Sequence, residues 1–186
     1  MKKLLTAKGP RPSTRFRVRL FNATCLSVLL YGCESWTLTG ALERDLDVFA
    51  RKCYRAILAI NQHETHMTNS DLYKKIDQDP VNFIIKKRQH QFIGHCLRME
   101  ENEPAHIYAL YQSDVTDKNR RGRPTTSYRE KFRQHLISGL GHRISLPNKI
   151  NTPLEKDEDL KYITSIAKNK ELWKDIVVPH CRGPDQ

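Results

Sequence analysis

The stretch Gly40–Leu58 reads G-A-L-E-R-D-L-D-V-F-A-R-K-C-Y-R-A-I-L and decides the fold. Apolar residues recur in it and just beyond it at intervals of four, three, four, four and three: Leu42, Leu46, Phe49, Cys53, Ile57 and Ile60. This spacing is typical of an amphipathic helix with one buried face. Thr39 is placed as its N-cap, and Glu43 and Asp45 lie near the positive end of the helix dipole. The stretch therefore predicts a core helix.

The sequence on either side of Gly40–Leu58 also has helical periodicity, and it predicts an all-α fold. Further helices are predicted at about 14–31, 68–76, 80–99, 104–111, 127–138 and 157–177. Thr68-Asn69-Ser70-Asp71 resembles a capping box, and Asp79-Pro80 is typical of a helix start. Trp36 and Phe49 are expected to hold the first two long helices together as buried side chains. No alternating run of useful length predicts a strand.

Shifts in composition divide the chain into four segments. Residues 1–13 are basic and contain two prolines, so we expect a disordered arm, and residues 14–111 are expected to form a thumb-like helical bundle. Residues 112–124 are polar and charged and predict a basic linker. Residues 125–186 predict a helical tail with an internal loop at 141–156, where glycine and proline recur.

The chain is strongly basic. Its 186 residues carry a formal charge of +11, with a pI near 9.6, and 38% of them are hydrophobic, enough for a modest core. Seven Lys and Arg residues precede the first acidic residue, Glu34. Such a charge indicates a polyanionic partner, and we expect nucleic acid, DNA or RNA, bound without sequence preference. The alternative is a solvated basic surface with no specific partner.

The sequence predicts no metal, no cofactor and no membrane segment. The five cysteines are scattered singly and indicate reduced thiols in an intracellular protein, nuclear or cytoplasmic. The longest apolar run, Cys25–Cys33, has nine residues, whereas a membrane helix needs ~20. His63-Glu64-Thr65-His66 is one residue short of the H-E-x-x-H zinc motif. Because no nucleophile–base arrangement or Gly-rich phosphate loop has supporting context, no catalytic residue is predicted.

Two basic clusters are the candidate nucleic-acid-binding residues. Lys86-Lys87-Arg88 lies in mid-helix, where three consecutive side chains spread around the axis, so one or two are expected to contact phosphate. The second cluster comprises Lys118, Arg120, Arg121, Arg123, Arg129, Lys131 and Arg133. Within it, Arg121-Gly122-Arg123-Pro124 matches the core of an AT-hook, in which a flat Arg-Gly-Arg lies in a narrow A·T minor groove. Non-specific phosphate contact and a merely solvated linker are the alternatives.

Five blocks follow one another along the chain in an informative order. They are Leu29–Leu38 (L-L-Y-G-C-E-S-W-T-L), Cys53–Leu58, Lys86–Arg88 with Phe92–Met99, Arg120–Pro124, and Ala167–Val177. In this order they resemble the C-terminal part of the reverse transcriptase of non-LTR, LINE-type retrotransposons. The resemblance covers nearly the whole chain, from about Phe16 to Val178, and the last block is similar to the closing helix of that family.

The resemblance implies a thumb-like region and a tail, without fingers, palm or endonuclease. In that family, polymerase chemistry rests on metal-binding aspartates, two of them in an aromatic-x-Asp-Asp turn, and this sequence contains no such motif. The implied role is to grip a template–primer duplex and to orient nucleic acid, without catalysis. The contrasting hypotheses are a protein-interaction scaffold that self-associates through an exposed apolar face, and a remnant that retains no function.

Overall fold

The structure is a computed structural model that describes residues 12–110 and 157–181, and every regular element in those ranges is helical. The all-α prediction is thereby confirmed. The elements are α1 (Thr14–Phe21), a π-helical turn (Asn22–Leu26), α2 (Ser27–Leu29), a 3-10 turn (Cys33–Ser35), α3 (Gly40–Leu58), α4 (Gln62–Thr65), α5 (Asn69–Ile76), α6 (Val81–Cys96), α7 (Pro104–Leu110), α8 (Asp157–Lys168) and α9 (Lys170–Cys181). The helix predicted at 127–138 lies outside the described residues.

The described residues fall into two compact units. The first contains residues 12–33 and 38–85, and the second contains residues 34–37, 86–110 and 157–181. The boundary between Ile85 and Lys86 lies within α6, and therefore within the segment 14–111 that was expected to form one bundle. The predicted linker at 112–124 is outside the described residues, so the four-segment division stays a prediction.

Side-chain caps fix where two of the helices begin. The Thr39 hydroxyl accepts a hydrogen bond from the Leu42 backbone N–H at 3.4 Å. The Thr68 hydroxyl accepts from the Asp71 N–H at 3.1 Å and donates to the Asp71 carboxylate at 2.6 Å. Each cap satisfies one of the donors that a helix leaves unpaired in its first turn. The starts of α3 and α5 are therefore as predicted.

Three aromatic rings form the centre of the first unit. Phe21 on α1 and Tyr54 on α3 pack edge to face with their centroids 5.2 Å apart, and Tyr54 and Tyr73 on α5 do so at 6.3 Å. Such pairs contribute about 0.5–1.5 kcal/mol beyond the area that they bury. Ile57 of α3 and Leu72 of α5 are also fully buried. This cluster is why α1 and α5 both pack against α3.

A chain of polar side chains satisfies the buried hydroxyl of Tyr54. That hydroxyl donates to Oδ1 of Asn22 at 2.8 Å, and the Asn22 amide donates to Oε1 of Gln78 at 2.6 Å. Burial raises the pKa of Tyr54, so the hydroxyl stays protonated and able to donate. Asn22 is the first residue of the π-helical turn, a local widening of the helix. The π-helical turn thus begins at the residue whose side-chain amide accepts from Tyr54 inside the first unit.

The buried face of α3 differs from the predicted one. Tyr54 and Ile57 are buried together with Ala50, whereas Leu42 and Phe49 are 49% and 46% exposed. The expectation that Phe49 is a buried contact between the first two long helices was therefore wrong.

The difference arises because the polar groups of Asp47 and Tyr54 form hydrogen bonds inside the first unit. The Asp47 carboxylate accepts from Asn82 twice, at 3.3 Å from the backbone N–H and at 2.8 Å from the amide. The hydroxyl of Tyr54 is satisfied by Asn22 in the same way. Because these partners remove the cost of burying polar atoms, α3 turns Asp47 and Tyr54 inward and leaves Phe49 at the surface.

Trp173 is the central side chain of the second unit. It is 4% exposed, and its indole N–H donates to the His90 carbonyl at 3.1 Å. The indole ring lies against Gly94 of α6, where any side chain would collide with it. Arg98, just beyond α6, donates to the Ala167 carbonyl of α8 at 2.8 Å. Helices α8 and α9 therefore contact the C-terminal half of α6 and the residues just beyond it through both packing and hydrogen bonds.

The single helix predicted at 157–177 is two helices. α8 ends at Lys168, and the side chain of Asn169 accepts at 3.1 Å from the backbone N–H groups of Glu171 and Leu172. This is the geometry of an N-cap, so α9 begins anew at Lys170. The predicted continuity was wrong at this one residue, because a capping asparagine lies within a pattern that is otherwise helical.

Candidate nucleic-acid interface

The first predicted cluster, Lys86, Lys87 and Arg88, lies on α6 directly after the unit boundary. All three residues are half-buried, and each of them has an interaction within the protein. The Lys86 carbonyl is also engaged, at 2.6 Å from Nδ1 of the buried His90. Because only part of each residue is accessible, the cluster is a partly covered basic segment rather than an open patch. Its role in binding stays a prediction.

The second predicted cluster lies outside the described residues. It comprises Lys118, Arg120, Arg121, Arg123, Arg129, Lys131 and Arg133. The role of these side chains in binding and the AT-hook interpretation of Arg121–Pro124 therefore both stay predictions. What the sequence adds is its charge: residues 118–133 contain seven basic side chains and a single acid, Glu130.

A third basic surface on α1 was not among the predicted site residues. Arg15 and Arg19 are exposed and lie four residues apart, so they share one face of the helix. Arg17 is half-buried and donates to Thr14 at 3.4 Å. The first turn of α1 contains no acidic residue. The signal in the sequence was the spacing of Arg15 and Arg19 within a stretch that has no acid before Glu34.

Charge is distributed very unevenly between the described residues and the rest of the chain. Residues 12–110 and 157–181 together contain seventeen Lys and Arg and sixteen Asp and Glu, a net charge of +1. The whole chain carries +11, and its last five residues have no net charge. The remaining +10 therefore belongs to residues 1–11 and 111–156. The two helical units are thus nearly neutral, and the positive field of the molecule arises from the two other segments.

The titratable groups with perturbed pKa values belong to the helix-packing core. Burial, assisted by the Asp47 carboxylate, raises the pKa of Tyr73 to about 12, although Arg51 and Arg55 act in the opposite direction. Burial also raises the pKa of the Cys53 and Cys96 thiols. A raised pKa keeps a hydroxyl or thiol protonated at neutral pH. These groups are therefore not activated as nucleophiles.

The part of the chain that the structure describes contains no group of three or more His, Cys, Asp or Glu side chains that could hold a metal ion. His63 and His66, which flank the end of the short helix α4, are both exposed. Across residues 12–110 and 157–181, no helix combines the length and the apolar character that crossing a membrane requires.

The chain is similar to an uncharacterized transposon-derived protein of Caenorhabditis elegans. The two are 31% identical over 91 residues, which is 47% of this chain and 32% of the relative. The match thus spans about a third of the length of that curated protein. It points to a transposon-related origin. No protein-family model matches the chain, and no solved structure matches it.

Proposed function

We propose that this chain is a non-catalytic nucleic-acid-binding protein derived from the thumb and tail of a non-LTR retrotransposon reverse transcriptase. One observation carries the proposal: the described helices are nearly neutral, and +10 of the +11 formal charge lies in residues 1–11 and 111–156. Charge concentrated in short segments acts on phosphates more strongly than the same charge spread evenly over a surface. The similarity to a transposon-derived protein supports the proposed origin.

The binding is electrostatic and tolerant of sequence. Each Lys or Arg that neutralises a phosphate releases a counterion, which favours binding at low salt and carries no base-specific information. Residues 118–133, with a net charge of +6, supply most of these contacts. The residues 1–11, which carry four basic side chains and no acid, continue into Arg15 and Arg19 and supply the rest.

Lys86, Lys87 and Arg88 contribute less than the segment 118–133. The three residues are half-buried, so only part of each side chain is accessible to a phosphate. The described helices do not form the main contact surface. A chain that works on nucleic acid in this way acts inside the cell, in the nucleus or the cytoplasm.

The proposed protein catalyses neither polymerisation nor cleavage. The sequence contains no aromatic-x-Asp-Asp motif, on which the polymerase chemistry of the resembled family rests. Primer extension by the purified full chain with Mg²⁺ or Mn²⁺ tests this part of the proposal. We expect no template-dependent incorporation above that of a buffer control, and any incorporation that co-purifies with the chain would contradict it.

The main experiment compares two variants that lose the same charge. The first replaces Lys118, Arg120, Arg121 and Arg123 with Ala. The second, a matched control, replaces Lys74, Lys75, Lys168 and Lys170, which are exposed positions on or beside the described helices. Binding of duplex DNA, single-stranded RNA and an RNA–DNA hybrid is measured by fluorescence anisotropy at two salt concentrations.

We expect the first variant to lose about tenfold or more in affinity at low salt, and the control to lose much less. Equal losses in both would mean that net charge alone matters, and would contradict the assignment to residues 118–133. A loss confined to A·T-rich duplex would favour an AT-hook at Arg121–Pro124 over general phosphate contact.

A further inference from the structure

The outer side of α3 carries an apolar stripe that the first unit covers only in part. Leu42, Leu46, Phe49 and Cys53 lie four, three and four residues apart, so they follow one face of the helix. Leu42 is 49% exposed and Phe49 is 46% exposed, while Leu46 and Cys53 are half-buried. The buried residues Ala50, Tyr54 and Ile57 lie on a neighbouring face. We call the four residues the α3 stripe.

The α3 stripe is symmetric along the helix. Its midpoint falls between Asp47 and Val48. Leu46 and Phe49 are equally far from that midpoint, and so are the outer pair, Leu42 and Cys53. A helix with such a stripe is complementary to its own reversed copy. Two antiparallel α3 helices related by a two-fold axis through the midpoint bring Leu46 of each copy opposite Phe49 of the other, as an isologous contact requires.

The charges beside the α3 stripe have the same symmetry. Asp45 and Lys52 are both exposed and are seven residues apart, so at 3.6 residues per turn they lie within about 20° of each other around the helix. In the antiparallel pair, Lys52 of one copy lies opposite position 43 of the other. Asp45 is two residues from that position, which is roughly 3 Å along the helix axis. A lysine side chain easily spans this offset. The two-fold axis therefore creates two ion pairs along one edge of the contact.

A parallel pairing lacks this complementarity. In a parallel pair, the two-fold axis runs in the same direction as the helices. Asp45 and Lys52 of one copy then lie along one edge of the contact, and the same two residues of the other copy lie along the opposite edge. No ion pair between these residues can then form, and they contribute nothing to the contact. Apolar pattern and charge pattern thus favour one orientation only.

From this arrangement we infer that the α3 stripe is a self-association surface, on which a second copy of this chain docks with its own α3 in the antiparallel direction. The stripe alone is smaller than the roughly 800 Å² per partner of a standard stable interface. The dimer is therefore weak and depends on concentration. The occupant is a second copy rather than an unrelated protein because both the spacing and the charges of the stripe are complementary to themselves.

Sedimentation equilibrium of the full chain over a range of concentrations tests this inference with two single-residue variants. Phe49→Glu places a charge at the middle of the contact, and we expect it to weaken dimerisation about tenfold or more. Val48→Glu is the matched control, since Val48 is a neighbouring residue, 37% exposed, that lies off the stripe. We expect it to dimerise as the wild type does. Circular dichroism spectra identical to that of the wild type show that both variants are folded.

A Leu42→Cys variant tests the direction of the pairing independently of stability. Antiparallel pairing brings position 42 opposite Cys53 of the second copy, so mild oxidation is expected to give a covalent dimer whose cross-linked peptides contain those two positions. In the wild type, the two copies of Cys53 are about 16 Å apart along the pair and are not expected to cross-link. A monomer at all concentrations, a dimer unaffected by Phe49→Glu, or a cross-link between two copies of Cys53 would overturn the inference.

Discussion

The indole ring of Trp173 occupies the space directly beside Gly94. A β-carbon built on that glycine would collide with the ring nitrogen and would lie only 2.7 Å from Cε2. Packed carbon atoms are normally about 3.5–4.0 Å apart. Glycine in a helix interior is destabilising by roughly 0.5–1 kcal/mol relative to alanine, so its presence in α6 needs a reason. The reason is the close approach of a residue that lies 79 positions further along the chain.

We expect Gly94→Ala to destabilise the second unit, although alanine is the better helix former. The added methyl group displaces the Trp173 ring, and overpacking of this kind costs about 1–3 kcal/mol. Gly40→Ala is the matched control, because a β-carbon there meets nothing within 4 Å. Urea unfolding followed by tryptophan fluorescence measures both. If Gly94→Ala proved as stable as Gly40→Ala, the packing of Trp173 on α6 would be wrong.

The two tryptophans of the chain are expected to differ in their contributions to stability. Trp173 is almost fully buried, so Trp173→Ala should cost about 3–5 kcal/mol. Trp36 is half-buried, and it is its backbone carbonyl that accepts from Gln89 at 2.9 Å, a bond that survives truncation of the side chain. Trp36→Ala should therefore cost clearly less. Thermal melting followed by circular dichroism compares them, and a larger loss at Trp36 would contradict the structure.

The two buried tyrosines are expected to respond differently to loss of the hydroxyl. Tyr54→Phe leaves Oδ1 of Asn22 without its donor, and an unsatisfied buried acceptor costs about 1–3 kcal/mol. The Tyr73 hydroxyl is buried without a hydrogen bond of ordinary geometry within the described residues, although Arg51 is near enough to lower its pKa. Tyr73→Phe should therefore change stability by less than about 0.5 kcal/mol. Urea midpoints that rank the two variants in the reverse order would argue against the polar chain.

Alkaline pH is expected to destabilise the first unit. The pKa of Tyr73 is raised by burial from its ordinary value of 10 to about 12, and that of Tyr54 is raised as well. Since the unfolded chain loses these protons at lower pH than the folded chain, the contribution to stability is complete below about pH 10 and is lost as the pH rises toward 12. The free energy of unfolding, measured by urea between pH 8 and about pH 11, should begin to fall near pH 9, where the unfolded chain loses the thiol proton of Cys53, and should fall more steeply above pH 10. A smaller decrease in Tyr73→Phe is the matched comparison, and an unchanged slope would contradict the assignment.

The sequence predicted the limits of α3 and α5 because local signals determine them. Thr39 and Thr68 are caps that act over three residues, and the apolar period of α3 is unbroken. The face that α3 buries could not be predicted in the same way. That face depends on Asn82, which lies 35 residues further along the chain and donates hydrogen bonds to Asp47. The apolar spacing of α3 gives no sign of this partner.

The candidate site was predictable only as charge. The count of basic residues located the segment 118–133 and the acid-free stretch before Glu34, but the pattern could not show that Lys86, Lys87 and Arg88 are half-buried and engaged. That property arises from packing around α6, to which residues from distant parts of the chain contribute. The exposure of Phe49 arises in the same way, because it follows from which neighbours α3 finds rather than from its own spacing.

The salt dependence of nucleic-acid binding tests the central claim most directly, because it counts phosphate contacts rather than comparing affinities alone. For the full chain on duplex DNA, we expect the logarithm of the association constant to fall linearly with the logarithm of salt concentration. Replacing Lys118, Arg120, Arg121 and Arg123 with Ala should make that slope shallower by about 3–4, the value for four lost phosphate contacts. The Lys74, Lys75, Lys168 and Lys170 control should keep the wild-type slope. If the wild type and the first variant had the same slope, the contacts would lie elsewhere and the account would be contradicted.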